Sequence, residues 1–280
     1  MLRQRIITAV LLLAVLLPAL FSSHAWPFAA LSLLMVGAAG WEWGRLNALE
    51  HHAALIAGFV LAAAGAVSWW VGWVSQAPAV LWWVSAVLWM AGGAYMLHGG
   101  VQQWPRWPAG LRLVGGLLAL WLVWLAIVSA KVVGLNFLLS VMCLVWMADI
   151  AAYFGGRQWG RRKLAPTISP GKSWEGVYSG MVGVLLLAGF WLWLDRQLTV
   201  DSPSIFSAVF NTTGLVGLMA AVLLLCAMSV VGDLVESLVK RCAGAKDSSQ
   251  LLPGHGGVLD RIDALIPVFP VAMAIYLFLA

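Results

Sequence analysis

Residues 213–239, TGLVGLMAAVLLLCAMSVVGDLVESLV, decide the fold. The run is apolar up to Asp233 and longer than the roughly 20 residues that cross a bilayer's hydrocarbon core. It then ends in charge. Working outward, similar apolar spans fall at about 6–22, 27–45, 53–74, 78–97, 112–129, 132–153, 174–194 and 264–279. Of 280 residues, 62% are hydrophobic and 10% charged; soluble domains carry about 25% charged residues. Lipid is therefore the solvent for most of the surface. The expected fold is all-α, a polytopic integral membrane protein with about nine transmembrane helices in one membrane domain, 1–280. The three cysteines, Cys143, Cys226 and Cys242, are scattered without a CxxC pair and suggest neither a disulfide set nor a zinc site.

Basic residues set the orientation. With the N-terminus cytoplasmic, 14 of the 16 Lys and Arg fall on the cytoplasmic side and only Lys131 and Arg196 on the other, the asymmetry expected of a membrane protein. Arg3 and Arg5 before the first apolar run, with Ser23-His24-Ala25 after it, also suit a cleaved signal peptide, but the run is long for one. The basic residues are spread over loops with no long arm, which argues against nucleic acid as a partner. Two cytoplasmic loops, 155–172 and 241–261, stand out and belong to a C-terminal half (131–280) that follows the N-terminal helices (1–130). Trp69, Trp70, Trp82, Trp83, Trp104 and Trp107 fall near predicted interfaces, as membrane anchors do. No internal repeat is evident.

The chemistry lies in these loops and the helix ends that hold them. Asp233, Glu236, Ser237 and Lys240 share one helical face, because spacings of three, four and seven return to it at about 100° per residue. Carboxylates there face a polar cavity or a partner, or Glu236 or Asp233 simply bridges Lys240 across a turn. Asp260 and Asp263 flank Arg261 and point the same way. With waters and phosphate oxygens such carboxylates suit Mg²⁺; charge complementarity at a helix start is the plainer account. Before them, Pro253-Gly254-His255-Gly256-Gly257 permits positive φ and close backbone approach, an anion site at a helix N-terminus. His255 is suited to hydrogen-bonding a phosphate or shuttling a proton. Asp149 and Tyr153, near Gly155 and Gly156, form a second polar cluster; Asp149 suits a metal ligand, a ligand-binding group or a structural partner equally. Gly171-Lys172-Ser173 resembles the end of a P-loop, but Pro166 stands where the first glycine belongs. Lys172 and Ser173 still suit phosphate contact, and Glu175 a simple cap.

These residues resemble the phosphatidate cytidylyltransferases, also called CDP-diacylglycerol synthases. That family's signature is S-x-x-K-R-x4-K-D followed by H-G-G-x-x-D-R-x-D. It stands here as Ser237, Lys240, Arg241, Lys246 and Asp247, then His255, Gly256, Gly257, Asp260, Arg261 and Asp263. The upstream elements Ala152-Tyr153-Phe154, Ile168-Ser169-Pro170 and Lys172-Ser173-Trp174-Glu175-Gly176 are also similar. Ile150 and Ala151 depart from the small polar residue usual after the aspartate. The resemblance implies transfer of the cytidylyl group of CTP to phosphatidate, releasing pyrophosphate, by a bacterial inner-membrane enzyme whose active site faces the cytoplasm. It implies Mg²⁺ on Asp233, Asp260 and Asp263, with room for a second cation. Lys240, Arg241, Lys246 and Arg261 would neutralise phosphate, with Ser237 and the amides of Gly256 and Gly257 as donors. Lys172, Ser173 and Arg157 would hold the other end of the nucleotide or the lipid headgroup. A homodimer is plausible on the same ground. The alternatives are a CTP-dependent lipid kinase, which would release CDP, and an ion-coupled transporter using Glu42, Asp149 and Asp233. The acidic spacing of the CDP-alcohol phosphotransferases is absent.

Overall fold

Inside a bilayer every backbone N–H and C=O must find its partner within the chain, which favours helices wherever the sequence is apolar. The computed structural model describes residues 2–279 and is helical almost throughout; the side chains of Arg3 and Arg5 lie outside the described residues. Helices α1 (Leu2–Phe21), α2 (Trp26–Leu46) and α3 (His51–Trp70) lead to a short α4 (Trp73–Gln76). A composite span follows: α5 (Ala79–Val87), a π turn over Leu88–Gly92, and α6 (Gly93–Gln103). Then come α7 (Ala109–Val133) and α8 (Leu135–Trp159), and a two-stranded antiparallel hairpin, β1 (Lys163–Ala165) and β2 (Ser169–Ser173). The chain closes with α9 (Trp174–Gln197), α10 (Ile205–Cys242), the short α11 (Leu259–Ile262) and α12 (Leu265–Leu279).

Seven helical stretches among the described residues are long and apolar enough to cross a membrane, and they coincide with the last seven expected spans. The first two expected spans are also helices, α1 and α2. Among the described residues the departures from helix are this hairpin and an isolated bridge between Leu252 and Gly256, both in loops. At Gly214 the chain takes φ 70°, ψ −165° and breaks α10, so residues 215–242 form the spanning rod.

Bulk lipid is as apolar as leucine, so helices in it associate mainly through close packing, which small residues allow. On α2 and α3, a Cβ on Gly44 would stand 3.1 Å from Ala54 Cα, and one on Gly40 3.2 Å from Gly58 Cα. A longer seam joins α8 to α9: a Cβ on Gly176 would stand 2.9 Å from the Ala152 carbonyl, and one on Gly180 3.0 Å from that of Ala148. The most enclosed span is α12, whose Val268, Phe269, Val271 and Ala272 pack inward against α5, α7 and α10. Trp82 and Trp104 are buried in this interior at 1% and 6% exposure, so they are core residues and not interface anchors. At the end away from the two long loops, Asp195 accepts hydrogen bonds from Ser204 Oγ and Ser207 Oγ (both 2.5 Å), and Asp201 accepts those of the Leu135 and Asn136 amides.

Candidate active site

The first wall of the site is built by α8, the hairpin and α9. Helix α8 runs on to Trp159, past Gly155 and Gly156, because these glycines let α9 approach and do not end the helix. Ser173 caps α9 by accepting the Gly176 amide at 3.2 Å. Glu175 does more than the simple cap expected: it accepts the amides of Arg161 (3.0 Å) and Arg162 (3.1 Å) and the Arg162 Nε (3.0 Å). With both ends of the hairpin held, Lys172 reaches α10 and its ammonium pairs with Asp233. Asp149 lies within electrostatic reach of both. Together with Tyr153, Arg157 and Ser173 these residues line a cleft of about 540 Å³. Ile150 points away from it, 54% exposed, and Ala151 packs under α9, where a Cβ on Gly183 would stand 2.7 Å from its own.

The second wall is the charged face of α10. Ser237 Oγ donates to Asp233 Oδ1 at 3.3 Å. Lys240 Nζ sits between Glu236 Oε2 and Asp260 Oδ1, 2.5 Å from each. The local pairing expected for Glu236 is present, and Lys240 also crosses to the start of α11. Gly232 brings α10 close to Asp263, since a Cβ there would collide with the Asp263 carbonyl and with Pro267. Asp263 accepts the Ala264 amide at 2.8 Å and lies within electrostatic reach of Asp233.

The loop between them is heavily internally bonded. Asp260 Oδ2 accepts the Ser248 amide (2.9 Å), the Ser248 hydroxyl (2.9 Å) and the Gly257 amide (2.8 Å). Arg241 donates to the carbonyls of Ile168 and Ala245 (3.2 Å each), tying the hairpin to this loop, and Arg261 donates to the His255 carbonyl at 2.7 Å. Gly256 turns the chain at φ 81°. His255 Nδ1 is buried with no hydrogen-bond partner among the described residues. Lys246 and Asp247 line a second cleft, of about 560 Å³, with Arg45, Ser248, Ser249 and Gln250.

One expectation changes. The Gly257 amide is not a free anion donor, because Asp260 already takes it. Among the described residues no three His, Cys, Asp or Glu side chains group in a way that could hold an ion; Lys240 and the loop donors engage Asp260, and Lys172 pairs with Asp233. Glu42, which the sequence offers only to an ion-coupled transporter, is fully buried and joins this site: it accepts Ser248 Oγ (3.1 Å), Ser249 Oγ (2.5 Å) and the amides of Val258 (3.0 Å) and Leu259 (2.7 Å). The one sequence signal for it is a carboxylate within an apolar span, itself a mark of function.

This geometry can be set beside known proteins. A protein of Pseudomonas aeruginosa named phosphatidate cytidylyltransferase is 39% identical over 290 residues, covering 98% of this chain and 97% of its own. One of the same name from Haemophilus influenzae is 37% identical, covering 99% of each chain. Another from Thermotoga maritima is 39% identical across 49% of this chain and 48% of its own. The sequence model of the cytidylyltransferase family matches residues 3–279, which takes in both clefts, α2 and every signature residue. A match of that extent, on a helical membrane bundle with lysine–carboxylate pairs at one end, shows that the chain belongs to the cytidylyltransferase family.

Proposed function

We infer that the chain transfers the cytidylyl group of CTP to phosphatidate, giving CDP-diacylglycerol and pyrophosphate. The observation that carries this is the cleft where Lys172 meets Asp233 beside Asp149, at the polar end of a lipid-embedded bundle. A water-soluble triphosphate and a lipid phosphate can both reach such a place. A phosphate oxygen of phosphatidate attacks the α-phosphorus of CTP; the bond from that phosphorus to the oxygen bridging it to the β-phosphorus breaks, and pyrophosphate leaves. Such transfers depend on positioning and charge neutralisation. Lys172 and Lys240 supply positive charge, and each now rests on carboxylates that incoming phosphates would displace. Arg157 and Tyr153 face the lipid headgroup in the first cleft, with Ser173 as a hydroxyl donor there and Ser237 as one beside Asp233 on α10. Lys246 and Asp247 border the second cleft, where the nucleotide enters. Arg241 and Arg261 hold the loops that present these groups.

The donor chemistry suits Mg²⁺, since Asp233 and Asp263 are hard oxygen ligands within mutual electrostatic reach. Held there, Mg²⁺ would neutralise charge across the CTP phosphates. Asp260 acts in this reading through Lys240 and the loop it organises.

The reading extends to topology: nine spans in a bacterial inner membrane, with the N-terminus and site cytoplasmic. The bias of basic residues supports it, as does the bond from Thr8 Oγ1 to the Pro253 carbonyl (3.1 Å), which puts the start of α1 at the loop end. The test is incubation of detergent-purified protein with radiolabelled CTP, phosphatidate and Mg²⁺, with and without EDTA. Metal-dependent label in the lipid with equal pyrophosphate is expected. Phosphorylated lipid with CDP release, or no turnover by folded protein, would overturn the reading.

A further inference from the structure

Four donors converge on Glu42, a carboxylate that solvent does not reach. No salt bridge meets it among the described residues. Two donors are the Val258 and Leu259 amides at the entry to α11; two are the hydroxyls of Ser248 and Ser249 on the opposite limb of the loop. A single side chain from α2 therefore clamps both limbs of the segment that carries Lys246, Asp247 and His255. Ser248 Oγ lies 3.1 Å from Glu42 Oε2 and 2.9 Å from Asp260 Oδ2, so Glu42 stands one hydroxyl from the carboxylate that holds Lys240. Gly257 fits between them: a Cβ there would collide with Ser248 Oγ and Glu42 Oε1. The second glycine of His-Gly-Gly thus has a steric cause outside the motif. One turn further along α2, Arg45 lines the second cleft beside Lys246 and Asp247.

We propose that Glu42 is a positioning residue for the nucleotide: it shapes the wall of the second cleft so that Lys246 and its neighbours meet CTP, and it has no part in holding phosphatidate. No Glu42 contact reaches Asp149, Tyr153, Arg157 or Lys172, which line the first cleft. A buried acceptor of four donors has no adequate neutral substitute. Glutamine keeps the size but offers one acceptor oxygen and turns an amide NH₂ toward donors. The inference rests on the cytidylyl-transfer reading, and CTP binding separates the two.

The experiment uses the full-length protein in phosphatidate–detergent micelles, with steady-state kinetics, equilibrium binding of labelled CTP and thermal unfolding. Glu42→Gln should weaken CTP binding and lower kcat/KM for CTP at least 30-fold, with KM for phosphatidate within twofold of wild type. Ser249→Ala should shift the same parameters about fivefold, and the double variant should be no worse than Glu42→Gln alone by more than twofold. CTP binding and kinetics like wild type would overturn the proposal. So would equal losses toward both substrates with a collapsed thermal midpoint, since a merely structural role would not discriminate. If Glu42→Gln fails to accumulate, Ser249→Ala decides by the same criteria. A wild type that binds CTP without turnover would sink the reaction assigned above, while CTP affinity would still judge Glu42; a wild type that does not bind CTP would sink both.

Discussion

Asp260→Asn isolates the junction between α10 and the loop. In the wild type, Asp260 Oδ1 meets Lys240 Nζ at 2.5 Å and Oδ2 collects three donors; the two side chains are 6% and 12% exposed. Asparagine has one oxygen for these two duties. Its NH₂ must face either the ammonium or the three donors. Removing one partner of a buried charge pair costs about 3–5 kcal/mol. The lower end applies, because Lys240 keeps Glu236 at 2.5 Å. At about 1.4 kcal/mol per tenfold, a loss of about 3 kcal/mol expressed in the transition state lowers kcat/KM about 150-fold. The assay is initial-rate kinetics on micelles containing phosphatidate, alongside size-exclusion and thermal unfolding to show that the variant remains inserted and monodisperse. Kinetics within twofold of wild type, with an unchanged thermal midpoint, would refute the reasoning, for then neither set of bonds matters.

Lys172→Met should lower kcat/KM at least tenfold and reduce the folded protein recovered from membranes, because Asp149 and Asp233 are left together without their cation; rates and yield close to wild type would count against the cleft. Gly183→Leu should wedge α8 from α9 at Ala151, at a cost of about 1–3 kcal/mol seen as a lower thermal midpoint in detergent. Ile150→Thr should leave kcat and both KM values within twofold, since the side chain faces outward, and a marked gain would show that a hydroxyl there is wanted. For Asp201, outside the spans, burial alone pushes the carboxyl up, but the amides of Asn136 and Leu135 outweigh it and hold it below its ordinary 3.8. The folded state thus favours the ionised form, so this stabilisation is full above the unfolded value and disappears as pH falls through the lower folded one. The gap in thermal midpoint between wild type and Asp201→Asn should be widest above about pH 4 and close below it.

The spans were legible because apolar length is a one-dimensional property; most expected ends lie within about four residues of a helix end, while α6 and α8 run six residues further than expected and α10 starts earlier. The shared face of Asp233, Glu236, Ser237 and Lys240 was equally readable from helical period. What lay out of reach depends on distant partners. Nothing near Glu42 announces Ser248 and Ser249, more than 200 residues on. The burial of Trp82 and Trp104 depends on which helix covers them, which composition does not state. The hairpin is built from Lys-Leu-Ala and Ser-Pro-Gly-Lys-Ser, segments of low strand propensity that pair because α8 and α9 bring them together. The aspartate spacing also does not state that Lys172 and Lys240 reach those oxygens, because the two lysines meet Asp233 and Asp260 only in three dimensions.

The glycine seam between α8 and α9 has a consequence for biogenesis. Chains enter the membrane from the N-terminus, so α8, the hairpin and α9 are available to pair before α10 has been made. A carboxylate at the centre of a newly inserted helix costs about 2.5–3.5 kcal/mol. Asp149 carries a part of that liability toward the loop end of α8, and Lys172, at the foot of α9 in the same hairpin, is a cation within its reach. The pair can therefore settle in the bilayer with its charge balanced. When α10 arrives with Asp233, the lysine gains the carboxylate it holds in the finished protein. One ammonium thus serves acids on two helices in the order in which the chain supplies them.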